Sequence, residues 1–85
     1  MAWIKISADG STRISRLVCP VTESNDGEEW SELTDTELSF DAQKILFIER
    51  YESAFRLNFG QGSEVLITFE ESASADKFIQ NLMVN

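Results

Sequence analysis

Apolar and polar residues alternate along most of the chain, and the period lengthens only near the C-terminus. Trp3-Ile4-Lys5-Ile6 alternates with β-branched residues, which predicts a first strand. Asp9-Gly10 marks a turn, since Gly accepts positive φ. Arg13 to Cys19 (RISRLVC) predicts a second strand and a hairpin partner for the first. Ile14, Leu17 and Val18 do not share one face of it, which a bulge or burial on two sides would explain. Pro20 cannot donate to a ladder, so it ends that strand or sits on an edge.

The strongest pattern runs from Lys44 to Glu70. It reads as three apolar-rich runs separated by two short turn signals, Tyr51-Glu52-Ser53 and Gly60-Gln61-Gly62-Ser63. In the first run, Ile45 and Phe47 point one way, while Leu46 and Ile48 point the other. That predicts a central strand buried on both faces. Phe55, Leu57 and Phe59 share one face of the second run. Val65, Ile67 and Phe69 share one face of the third, opposite Leu66, Thr68 and Glu70. Arg13, Arg16, Arg50 and Arg56 fall on solvated faces, with Glu49, Glu64 or Glu70 as cross-strand partners.

Near residue 72 the period becomes helical. Ala75, Phe78, Ile79, Leu82 and Met83 line one face of a helix over about 72–84. Ser72 or Ser74 supplies the N-cap, and Asp76 falls in the first turn. A helix this short must lay its apolar face on a sheet. The fold class expected is α+β, mostly β. It is an antiparallel meander of about five or six strands, at most a small open barrel, with one C-terminal helix.

Length and composition narrow this further. A chain of 85 residues makes one domain, residues 1–85. Six Phe and two Trp give it a core without metal or disulfide staples. No His is present, and Cys19 is the single Cys. The commonest general base and the commonest metal ligand are therefore missing, and no zinc set can be assembled. No nucleophile–base motif replaces them, so neither an enzyme nor a cofactor is expected. Cys19 reads as a small buried hydrophobe. The N-terminal MAWIKISADG lacks the apolar core of a secretory signal, and no run is long enough to span a membrane. With a lone Cys, a reducing cytoplasmic setting is the expectation.

Charge is the most unusual property. Fifteen acids against seven bases leave a net charge of −8. Such a field repels nucleic acid and anionic membranes, and it steers basic protein partners into contact. Between Glu23 and Asp41 lie eight acids and no Lys or Arg. Asn25-Asp26-Gly27 is a turn signal. Val21-Thr22-Glu23 and Glu29-Trp30-Ser31 flank it as the arms of a protruding hairpin, with a disordered acidic loop as the competing reading. Glu37 to Phe40 reads as a short strand feeding the meander. An EF-hand register with Gly27 at its sixth position puts Leu33 at the twelfth, so that pattern fails. The candidate protein-binding residues are Glu23, Asp26, Glu28, Glu29, Trp30, Glu32, Asp35 and Glu37. Trp30 reads either as core at one end of the sheet or as an aromatic anchor among carboxylates.

The stretch from Phe40 to Leu82 resembles very small bacterial and phage β-domains of the FlbD-like type. Ile48-Glu49, Gly62-Ser63-Glu64-Val65 and Glu71-Ser72 carry the resemblance, and Trp3 to Ile6 looks like that plan's first strand. Arg13 to Thr36 departs from it as an acidic insertion. The resemblance implies a small barrel-like scaffold with a regulatory or adaptor role, and no site residues follow from it. Two functions are then expected of the chain. One is a non-enzymatic protein-binding module, with pairing into a homodimer through a sheet edge or face as a further use. The alternative is a phage-type inhibitor whose carboxylates mimic nucleic-acid phosphates in a basic groove.

Overall fold

The structure, a computed structural model, describes residues 3–19 and 29–84. Its strands are β1 (Trp3–Ser7), β2 (Thr12–Cys19), β3 (Glu29–Leu33), β4 (Glu37–Asp41), β5 (Phe47–Tyr51), β6 (Ala54–Gly60) and β7 (Ser63–Phe69). A short 3-10 turn covers Ala42–Lys44, and the helix α1 spans Ser72–Val84. Two antiparallel sheets result: a ribbon of β1 and β4, and a five-stranded sheet in the order β3-β2-β7-β6-β5. Neither closes into a barrel. The fold is α+β and mostly β, with the expected meander and the expected helix.

The meander forms where the alternation is cleanest. β5, β6 and β7 pair consecutively through two-residue turns, Glu52-Ser53 and Gln61-Gly62. Gln61 and Gly62 both take positive φ, as a tight turn matched to strand twist requires. Gly60 is also at positive φ, and a Cβ there would meet a Leu46 methyl at 3.0 Å. Phe55, Leu57, Val65, Ile67 and Phe69 are all buried on one face, as the pattern predicts. Ile14 of β2 joins them, opposite Ile67.

That inner face is covered by two elements. α1 lays Ala75, Phe78 and Leu82 on it, and Phe78 sits 5.2 Å from Phe55 and 5.3 Å from Phe69, centroid to centroid. The ribbon supplies Ile6 and Phe40, and Phe40 meets Phe59 edge-on at 5.7 Å. The outer face of the five-stranded sheet carries no layer among the described residues.

Several expectations are corrected. β1 is not the hairpin partner of β2. Both hydrogen-bonding edges of β2 are taken, by β3 and β7, so β1 pairs with β4. The register Ile4↔Phe40 and Ile6↔Leu38 matches their apolar sides. The strand from Glu37 therefore completes the ribbon instead of feeding the meander. The turn between β1 and β2 does not use positive φ at Gly10. The Asp9 carboxylate builds it, accepting from the Ser11 and Thr12 backbone N–H groups at 2.8 and 3.0 Å and from the Ser11 hydroxyl at 2.9 Å.

The first meander strand begins at Phe47 and is an edge strand, not a central one. With one neighbour and an open outer face it stays largely exposed, Phe47 at 50%. On α1, Met83 is 70% exposed and does not join Ala75, Phe78 and Leu82 on the buried face. Asp76 lies beyond the first turn, since α1 starts at Ser72; its carboxylate pairs with Arg50 at 2.7 Å. The expected irregularity in β2 is present as a register shift between Leu17 and Cys19. Expectations for the Cys19 side chain, Pro20, the Val21–Glu23 arm and the Asn25–Gly27 turn lie outside the described residues.

Candidate functional site

Side chains of the outer face follow from the ladder. Directly paired residues point the same way, and the face alternates along each strand. One row reads Glu32 on β3, Ser15 on β2, Leu66 on β7, Arg56 on β6 and Glu49 on β5. A neighbouring row carries Trp30 beside Leu17 and Glu64 beside Asn58, which faces Phe47. The row on the other side carries Arg13, Thr68, Ala54 and Tyr51. An apolar centre of Trp30, Leu17 and Leu66 is thus bounded on both edge strands by carboxylates, Glu32 and Glu49.

Arg56 organises this centre. Its Nε donates to Glu64 Oε1 at 2.6 Å, and its guanidinium lies 5.4 Å from the centre of the Trp30 ring. Strands β2 and β7 separate Arg56 from Trp30, a backbone distance of about 14 Å at the usual strand spacing. The two side chains therefore reach toward each other over the middle of the sheet. The Glu64 side chain is only 12% exposed, so this ion pair is shielded more than the others. Trp30 is half-buried and does not belong to the core, which resolves its two readings against the core. The stacked pair is worth about 0.5–2 kcal/mol and fixes the indole on the surface.

The expected acidic cluster is not held as one patch among the described residues. Trp30 and Glu32 share the outer face. Glu32 is paired with Arg13 at 3.0 Å. Glu29 is exposed at the start of β3. Asp35 lies in the connection to β4 at a φ of 50°, and Glu37 sits on the ribbon beside Lys5 at 3.8 Å. Glu23, Asp26 and Glu28 lie outside the described residues. Leu17, Leu66, Arg56, Glu49 and Phe47 are not among the binding residues that the sequence suggests. A signal for them exists: Leu66 is an apolar residue on the solvated side of a cleanly alternating strand.

The Ser11 backbone and hydroxyl bonds, aided by Thr12, hold the Asp9 carboxyl below the ordinary 3.8. Among the described residues no group of three His, Cys, Asp or Glu side chains is placed to hold a metal. No helix among them is long and apolar enough to cross a membrane. No family model matches the chain, and no curated protein or solved structure matches it either.

Proposed function

We propose that this chain is a non-enzymatic binding module that docks a basic protein surface onto the outer face of its five-stranded sheet. The observation that carries the reading is the centre of Trp30, Leu17 and Leu66, which no other layer among the described residues covers, clamped by Arg56 and edged by carboxylates. Trp and Arg are the residue types that dominate interface energetics, and here both are held in place before any partner arrives. Five strands about 4.8 Å apart and three side-chain rows give a face of roughly 500 Å² with its margins. That is below the ~800 Å² per partner of a standard complex, so affinity rests on these few anchors and on charge. The net charge of −8 speeds encounter with a basic partner and disfavours pairing of two copies through the same acid-edged face. An adaptor or regulatory role agrees with the resemblance of Phe40 to Leu82 to FlbD-like domains. A reducing compartment suits the lone thiol.

The phosphate-mimic reading has less support among the described residues. Glu32, Glu37 and Glu64 each sit beside a cation, and no row of unpaired carboxylates runs across a face. The test is affinity capture from lysate with the parent chain and with Trp30→Ser/Leu66→Glu, at two salt concentrations. The proposal expects one partner with a basic surface, lost with the variant and weakened by salt. The same partner captured equally by the variant would remove the outer face from the interface. Capture of a nucleic-acid-processing enzyme insensitive to the Trp30 change would favour mimicry.

A further inference from the structure

The inner face of the sheet is not wholly roofed. A cleft of about 580 Å³ lies where the ribbon approaches the β6–β7 hairpin. Leu38, Phe40, Phe59 and Val65 line it, and Trp3 borders it while 62% exposed. This volume lies in the range of small-molecule sites, and the apolar lining is the usual composition of one.

Two cations, Arg16 of β2 and Lys44 of the 3-10 turn, also line the cleft. Arg13, Arg50 and Arg56 each hold a carboxylate, at 3.0, 2.7 and 2.6 Å. Arg16 and Lys44 pair with none among the described residues. In a chain with 15 acids and 7 bases, two cations on one cleft with no ion-pair partner among the described residues are a local reversal of the overall charge. The acid at the cleft, Asp41, is engaged at home: its carboxylate accepts the Gln43 N–H at 3.0 Å and caps the 3-10 turn. The net field of the molecule opposes an anion, so the apolar lining must supply most of the affinity and the cations the orientation.

We propose that this cleft binds a small carboxylate amphiphile. Its apolar body lies against Phe40, Phe59 and Trp3, and its carboxylate is held by Arg16 and Lys44. The site is separate from the outer face, because Arg16 alternates to the inner side of β2 while Leu17 points outward.

The test is a titration of the isotope-labelled chain followed by its backbone and indole N–H resonances. The probes are 2-naphthoate, decanoate, the neutral 2-naphthamide and an acidic peptide. Saturable shifts at Trp3, Arg16, Leu38 to Lys44, Phe59 and Val65 are expected with a carboxylate probe. Naphthoate alone would assign an aromatic body and decanoate alone an aliphatic one. The neutral amide should bind about tenfold more weakly than naphthoate, as should naphthoate to Arg16→Gln/Lys44→Gln. Both substituted residues are exposed, so unchanged resonances elsewhere verify the variant's fold. Equal binding of amide and naphthoate, no loss in the double variant, or shifts at the outer face instead would overturn the proposal. Shifts produced by an acidic peptide but by neither carboxylate probe would also overturn it, in favour of a polypeptide ligand.

Discussion

Phe78→Ala tests the packing on which both faces of the sheet depend. α1 has 13 residues, too few to persist alone in water, so its stability comes from the apolar face it lays on the sheet. Phe78 is the centre of that face, buried between Phe55 at 5.2 Å and Phe69 at 5.3 Å. Truncating a buried Phe costs about 3–5 kcal/mol, and the two lost ring contacts place this site toward the upper end. A domain of this length is stable by about 4–13 kcal/mol. With a urea slope near 1 kcal/mol/M, the unfolding midpoint should fall by roughly 3–5 M, or the variant should be unfolded in water. Phe78→Leu keeps most of the volume and should cost about 1–1.5 kcal/mol, which keeps the series measurable. Met83→Ala is the control: this exposed side chain should change stability by less than about 0.5 kcal/mol. Circular dichroism in urea reads all three. The helix register is wrong if Phe78→Ala stays within ~1 kcal/mol of the parent, or if Met83→Ala costs as much.

Other outcomes follow from single contacts. Arg56→Ala strands the shielded Glu64 carboxylate and frees Trp30; it should cost about 1.5–3 kcal/mol and shift the tryptophan emission, and a change under ~0.5 kcal/mol would contradict the clamp. Glu32→Lys breaks an exposed pair with Arg13, so it should change stability by less than about 1 kcal/mol while weakening capture of a basic partner; a large stability loss would make Glu32 structural. The Asp9 carboxyl should titrate below 3.8 in the folded chain. Its folded pKa is lowered, so its contribution to stability is present above the unfolded value and is lost as pH falls through the folded one. Carbon-detected NMR checks this, and a midpoint at or above 3.8 would contradict the Asp9–Ser11 turn.

Much of the fold is legible locally. β6, β7 and α1 each carry a clean period, and the two hairpin turns carry their Gly and short polar signals, so these elements follow from residues near each other in the chain. What is not legible is which strand edges meet. β1 and β2 adjoin in sequence, yet β2 spends both edges on β3 and β7 and leaves β1 to β4. No local pattern encodes that choice. The same gap explains β5: residues apolar on both sides look central, but strand order alone makes β5 an edge. For the site, the acidic run is visible as composition, whereas the outer face arises only from register. Arg56 and Trp30 are 26 positions apart and meet because three strand spacings bring them within reach.

Docking at the outer face is tested by NMR cross-saturation on the labelled chain, bound to the partner recovered by capture. The expected result is saturation transfer at the Trp30 indole, Leu17, Leu66 and Phe47, with the exposed side of α1 unaffected. Transfer confined to α1 or to the β1–β4 ribbon, with Trp30 and Leu66 unchanged, would contradict it.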